Sequence, residues 1–284
     1  FGNKLKKHKN LNNLKIDIRN IDKINLKNID TIIHLAGIAN DPGADLNEVL
    51  SWEINVLATR QLIVKAIKNK VKHFIYASSG SVYGIKKEKN VTEDLSLLPI
   101  STYNKTKMIA ENVIMSFKDK IKIHSIRPAT VCGLSPRMRF DVSVNMLTMH
   151  ALKNKKIKVF GGKQIRPNIH IKDMVSVYLH FLKKINLPSG AYNAGFENIS
   201  ILNIAKKIKK LINSKILIEK SNDPRSYRQS SFKLLKTGFV PKYNVEYAII
   251  EIIKKYSSKQ KIADNCFTVK WMKKLNLDKT KAIK

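Results

Sequence analysis

The chain has 284 residues, is 43% hydrophobic, and carries 54 Lys and Arg against 21 Asp and Glu, a formal charge of +33 at pH 7. That length holds one large domain or two modest ones with ample core. No apolar run approaches the 18 residues of a membrane span and no signal peptide is visible, so no membrane partner is expected. The two cysteines, Cys132 and Cys266, lie far apart. Neither a disulfide framework nor a metal site is expected, and a reducing cytoplasm is the compartment that fits.

Only eight of the 54 basic residues are Arg, and the lysines are spread along the chain rather than gathered in one block. No aromatic–basic repeat offers a stacking platform for bases. The charge therefore reads as compositional drift rather than a polyanion-binding face, and no specific nucleic-acid partner is expected. An anionic substrate would still gain from the field.

In chain order, Phe1-Gly2-Asn3-Lys4-Leu5 reads as the end of a Gly-rich turn running into a helix. Leu14-Lys15-Ile16-Asp17-Ile18-Arg19 alternates apolar and polar residues and predicts a strand. Thr31-Ile32-Ile33-His34-Leu35-Ala36-Gly37 is a continuous apolar run, as in a buried strand of a parallel sheet. Its small Ala-Gly end would let a ligand approach the backbone. Residues 52–69 carry Ile54, Leu57, Ala58, Leu62 and Ala66 at helical spacing, with Asn55 near the start.

Residues 75–107 carry the chemistry. A strand over 71–77 ends in Ser78-Ser79-Gly80-Ser81-Val82-Tyr83-Gly84. After a polar loop a helix over 103–117 opens as Tyr103-Asn104-Lys105-Thr106-Lys107. Tyr103 and Lys107, four residues apart, share a helix face. A nearby ammonium favours phenolate, and a serine hydroxyl at the strand end can bond the same substrate oxygen. Together the three can take a proton from an alcohol while a nicotinamide takes the hydride. A lone Tyr-x-x-x-Lys arises by chance in any Lys-rich helix; the order strand, Ser, loop, Tyr, Lys is far more specific.

Residues 121–128 predict another strand, which continues as Ala129-Thr130-Val131-Cys132-Gly133. From Gly133 the pattern changes from sheet scaffold to insertions: Ser135 to Phe140, a helix with Asn145, a short strand and turn over 158–162, and Arg166-Pro167-Asn168-Ile169-His170-Ile171-Lys172-Asp173. Ala191-Tyr192-Asn193-Ala194-Gly195 follows, then Ser200 capping a helix to Ile212. Asp223 to Arg228 precede a final helix over 245–256, and residues 259–284 are Lys-rich with Trp271-Met272, the setting for an added helix of unassigned role.

These motifs resemble the extended short-chain dehydrogenase/reductase family, in its nucleotide-sugar epimerase/dehydratase branch, over about residues 1–256. His34 to Gly37 is similar to the family's HLAx, Asn55 to Thr59 to NVxGT, Arg127 to Gly133 to RPxxVYG, and Arg166 to Asp173 to RDFIHVDD. The resemblance implies an α/β fold: a Rossmann-type doubly wound parallel sheet over 1–133, interleaved with a smaller substrate-binding lobe over 134–258, with 259–284 as an extension. It implies Ser79, Tyr103 and Lys107 as catalytic residues. NAD, with NADP not excluded, would meet Gly2, Asp17, Ile18, Leu35, Ala36, Gly37, Asn55, Tyr103 and Lys107. The nucleotide sugar would meet Ser79, Tyr103, Asn145, Arg166 and Arg228, with Arg225 the other candidate for its phosphates. A homodimer through helices 52–69 and 103–117 is the assembly known in many relatives.

Several positions depart from the family pattern. The first strand and the first two glycines of the GxxGxxG turn are missing, leaving only Gly2, so a chain truncated at its N-terminus is expected. Cys132 stands where Tyr is usual and reads as a small buried group; Pro167 replaces an Asp. The 4,6-dehydratases carry Thr-Asp-Glu where this chain has Ser79-Gly80-Ser81. Without that carboxylate pair, epimerisation by transient oxidation of a sugar hydroxyl is the expected reaction. The alternatives are a ketoreductase, or a truncated relative that only binds a partner.

Overall fold

Four parallel strands form the scaffold that positions the site. In the computed structural model, which describes residues 7–221 and 226–280, the strands in chain order are β1 (Thr31–His34), β2 (His73–Ala77), β3 (Lys122–Pro128), β4 (Thr130–Cys132), β5 (Lys156–Phe160), β6 (Ile165–His170), β7 (Gly190–Ala194), β8 (Glu197–Ser200) and β9 (Lys215–Glu219). The helices are α1 (Asp41–Ala44), α2 (Glu48–Trp52), α3 (Ala58–Lys68), α4 (Thr102–Met115), α5 (Ser143–Asn154), α6 (Ile171–Lys183), α7 (Ile201–Leu211), α8 (Phe232–Leu235), α9 (Val245–Lys255) and α10 (Thr268–Lys274). A π-helical turn, Glu53–Leu57, joins α2 to α3.

The main sheet has the order β1-β2-β3-β7, all parallel. Successive side chains of a strand point to opposite faces, and both faces here are covered. Phe74, Tyr76 and Ile123 pack against Leu62, Ile63 and Ala66 of α3 and Ala110 and Ile114 of α4. Ile75, Ile126 and Tyr192 pack against Met174, Val177 and Phe181 of α6. Each fully buried side chain of this kind contributes about 1.5–3 kcal/mol. This is the doubly wound α/β sheet that the continuous apolar strands predict. The second lobe holds the sheet β4-β6-β8 and the pair β5-β9, around a core that includes Leu147, Ile157, Ile204 and Ile249.

Two segments differ from the sequence reading. The strand expected over 14–19 is absent: the segment has no regular structure. Ile18, Ile21 and Ile24 instead pack against the α3–α4 side of the core, and Lys65 Nζ donates to the Ile21 carbonyl at 2.8 Å. A strand needs a neighbour to ladder with, and among the described residues β1 is the edge of the sheet, with none beside it. Residues 41–51, read as no particular element, form α1 and most of α2. Each is capped by an asparagine: Asn40 Oδ1 accepts from Gly43 N and Asn47 Oδ1 from Leu50 N.

Candidate active site

The carboxyl ends of β1, β2 and β3 open into a cleft of about 590 Å³, the place and size expected for a ligand of an open parallel sheet. Ser79, Ser81 and Tyr103 line it from the sheet side, Asn40 and Asp41 from α1, and Arg137, Arg139, Asp141, Asn145 and Arg166 from the second lobe.

Ser79 follows β2 and caps a short 3₁₀ turn, Gly80–Tyr83, its Oγ accepting from Ser81 N at 3.2 Å and sharing a hydrogen bond with Ser81 Oγ at 2.7 Å. Tyr103 is the second residue of α4. The Ser101 cap that starts this helix accepts from Asn104 N and donates to Asp41 Oδ1 at 2.6 Å. The Tyr103 ring packs against Ile38, Ala44, Leu50 and Met272. Burial pushes the Tyr103 phenol up; the Ser79 hydroxyl and the Arg139 guanidinium act against that, and the Asp41 carboxylate acts with it.

Lys107 lies one turn further along α4. Its Nζ donates to the Ala77 carbonyl at 2.8 Å and sits 4.9 Å from the Tyr76 ring centroid. Burial lowers its pKa to about 8. The ammonium thus faces the end of β2, and the positive charge that bears on the phenol comes from Arg139.

On the expected cofactor side, Leu35 and Ala36 are exposed just past β1. A Cβ on Gly37 would stand 2.9 Å from Asn55 Oδ1 and 3.4 Å from Lys107 Nζ, so only glycine leaves the backbone open there. Asn55, in the π-helical turn, accepts from Ile38 N at 2.8 Å and donates to Ile38 O and Thr106 Oγ1. It fastens the chain after β1 to α4. At the end of β2 the buried Ser78 hydroxyl has no partner among the described residues, and a polar ligand edge would satisfy it. These features suit a dinucleotide lying across the strand ends. Ile18 is partly buried against the α3–α4 side of the core. Asp17 pairs with Arg19 at 2.9 Å, and Arg19 also reaches Glu53 at 2.8 Å. Gly2 lies outside the described residues, as does Arg225.

On the substrate side, Asn145 is buried, accepting from Gly133 N and donating to the Arg139 carbonyl. Arg166 lines the cleft from β6. Arg228 is exposed and does not line it, whereas Tyr227 does. His170 has a structural partner, with Nε2 2.9 Å from Glu251 Oε1. Cys132 is buried, which pushes its thiol up to about 12. Asn40, Asp41, Arg137, Arg139 and Asp141 had no assigned role in the sequence reading. The Asn-Asp-Pro start of α1 and the closely spaced Arg137, Arg139 and Asp141 were the available signals.

The model of the NAD dependent epimerase/dehydratase family matches residues 2–195. The chain belongs to that family. It is 31% identical over 202 residues to an uncharacterized UDP-glucose epimerase, YtcB, of Bacillus subtilis, covering 69% of this chain and 63% of that protein. It is 29% identical over 248 residues to the dTDP-D-glucose 4,6-dehydratase of Bos taurus, covering 80% and 68%. The chain spans 62–63% of the length of the epimerases it matches from Bacillus subtilis and Lactobacillus helveticus. Among solved structures, the UDP-glucuronic acid 4-epimerase from Bacillus cereus, in complex with UDP-glucuronic acid and NAD, superposes with a TM-score of 0.73 at 26% identity, covering 85% of this chain and 79% of that one. MoeE5 with UDP-glucuronic acid and NAD gives 0.76 at 23% identity, covering 85% of each chain, a likeness of fold. Among the described residues no helix is long and apolar enough to cross a membrane.

Proposed function

We propose that this family member is an NAD(P)-dependent epimerase of a nucleotide-activated sugar, acting by transient oxidation of a ring hydroxyl. The observation that carries this reading is the meeting of Ser79 and Tyr103 in one cleft, with Lys107 one turn below at the end of β2. Tyr103 takes the proton of the sugar hydroxyl and returns it, and Ser79 holds the same oxygen in place. Lys107 supplies positive charge at the end of β2, where Gly37 and Ser78 offer room and a hydrogen-bonding group for the nicotinamide ribose. A bound nicotinamide supplies the two-electron acceptor and donor. Arg166 faces the diphosphate, since a guanidinium fork matches phosphate oxygens.

Ser79-Gly80-Ser81 carries no carboxylate to serve as the extra acid and base of water loss, which favours epimerisation over dehydration. The relatives named for UDP-glucose and UDP-glucuronic acid make UDP-hexoses and UDP-hexuronic acids the first substrates to try. A homodimer through α3 and α4 and a cytoplasmic setting complete the reading; Leu57, 55% exposed where the π-helical turn meets α3, offers apolar surface for such pairing.

Proton NMR of UDP-glucose and of UDP-glucuronic acid incubated with the protein and NAD tests the proposal. The expected result is growth of a second set of anomeric signals to an equilibrium ratio, without net accumulation of NADH. Saturation with NAD and no new epimer from either sugar would contradict it.

A further inference from the structure

Residues 259–280 lie beyond the family match and beyond α9, the last helix of the second lobe. They run back along the rim of the cleft and touch both of its walls. On the wall from the second lobe, Arg137 Nε donates to the Asn265 carbonyl at 2.8 Å, Phe140 N to the Cys266 carbonyl at 3.0 Å, and Thr268 N to Asp141 Oδ2 at 2.9 Å. On the wall from the sheet domain, Met272 is buried with Ile38, Ala44 and Leu50, the cluster that also seats the Tyr103 ring. Asn47 Nδ2 donates to the carbonyls of Leu277 and Thr280. Gly43 is close by: a Cβ there would stand 2.7 Å from the capping Asn40 Oδ1 and 3.4 Å from Met272 Sδ.

The contact at Thr268 leads to the reactive group. Asp141 Oδ1 takes Arg139 Nε at 3.0 Å, while Oδ2 takes Thr268 N and, at 3.4 Å, Asn40 Nδ2. Arg139 and Tyr103 line the same cleft. A long arginine on a loop keeps one orientation only when its fork is held. The holder here is a carboxylate that is itself fixed by a main-chain donor.

We propose that Thr268 is a positioning residue of the active site: its N–H anchors Asp141, Asp141 holds the Arg139 guanidinium toward the Tyr103 hydroxyl, and the C-terminal segment thereby sets how readily that tyrosine gives up its proton. The proposal rests on Tyr103 being the base. Electrostatics support it. Burial works against the Asp141 charge, but Arg139 and Thr268 together hold the carboxyl below its usual range. Arg139 in turn lowers the Tyr103 pKa, against burial and against Asp41 from α1. The other groups near the phenol are Ser79, Tyr76 of β2 and Tyr178 of α6, with Lys107 one turn along its own helix.

Thr268→Pro in the full chain is the test. Thr268 is the first residue of α10, where a missing N–H costs the helix nothing and proline is favoured. Phe267 before it has φ −121° and ψ 113°, the conformation a residue takes ahead of proline. The substitution therefore removes the donor to Asp141 and leaves the helix. With Arg139 released, phenolate loses its support, and the acid limb of the kcat/KM–pH profile should move up by about half to one pH unit, a loss of roughly three- to tenfold on that limb. Thr268→Ser, which keeps the donor, should stay at the wild-type position. In an Arg139→Gln background Thr268→Pro should add no further shift, because the two act through one link.

If Thr268→Pro does not fold, Asp141→Ala cuts the same link and gives a signed answer. Removing an acid beside a phenol whose arginine stays in place would lower the limb; release of the arginine raises it. Two readouts need no turnover and so separate this proposal from the assigned reaction. They are faster hydrogen exchange over 134–141 in Thr268→Pro, and a higher Tyr103 ionisation midpoint by ultraviolet difference titration against Tyr103→Phe. Unmoved pH limb, exchange and ionisation in Thr268→Pro would overturn the proposal.

Discussion

The Lys107 ammonium donates to the Ala77 carbonyl at 2.8 Å, tying α4 to the end of β2 one turn below Tyr103. Burial holds its pKa near 8, so its charge is lost within a range accessible to assay. The charged form dominates below that value and the neutral amine above it. If the charge serves the cofactor, NAD affinity falls as pH rises through about 8. NAD titrations from pH 6 to 10 check this; an affinity that stays flat to pH 10 would remove the Lys107 charge from cofactor binding.

Three buried histidines make stability depend on acid. His73 Nε2 lies 2.7 Å from His124 Nδ1, and His34 Nε2 2.8 Å from Thr59 Oγ1. Burial lowers the pKa of His34 to about 3 and of His73 and His124 to about 4. The unfolded chain takes up these protons near pH 6.5 and the folded one only near pH 4 or below. The stabilising contribution of the neutral rings is thus fully present above about pH 6.5 and is lost as pH falls through 4. Urea unfolding at pH 7 and pH 5 should differ by several kcal/mol, an order-of-magnitude expectation; equal stability at the two values would contradict neutral, buried rings.

The Glu111 carboxylate, 3% exposed in the core, accepts from Ser125 Oγ at 2.9 Å and from Arg127 Nε and Nη2. Arg127 Nη1 donates to the Tyr83 hydroxyl at 2.7 Å, which donates on to Asn193 Oδ1. Removing one member leaves the other charge buried without compensation. Glu111→Ala should lower stability by about 3–5 kcal/mol, with Glu111→Gln nearer to wild type because it still accepts a hydrogen bond. Denaturant midpoints of the two variants check this ordering.

The scaffold was legible where burial imposes a period. His73 to Ala77 is buried on both faces and reads as an unbroken apolar run; Thr31 to His34 reads the same way although Ile33 is exposed and, among the described residues, β1 is the sheet's edge. The Ser79, Tyr103 and Lys107 positions followed from order along the chain. Residues 14–19 misled because alternation shows only that a segment could pair, and pairing depends on a neighbour the local pattern does not report. Asp17 lies in that same segment, and its partner in the structure is Arg19. The π-helical turn around Asn55 left no trace in the apolar spacing. Arg137 and Arg139 could be seen as two of only eight arginines, but what holds them could not. The contacts that order them come from Asn265 and Thr268, far along the chain and at no periodic distance.

The direct test of the account is Tyr103→Phe, assayed by NMR on whichever nucleotide sugar the wild-type chain epimerises. The substitution keeps the ring that packs against Ile38, Ala44 and Leu50 and removes only the hydroxyl. The thermal midpoint and NAD binding should be unchanged, and turnover lower by about a hundredfold or more. Wild-type turnover in that variant would contradict this and take Tyr103 out of the chemistry.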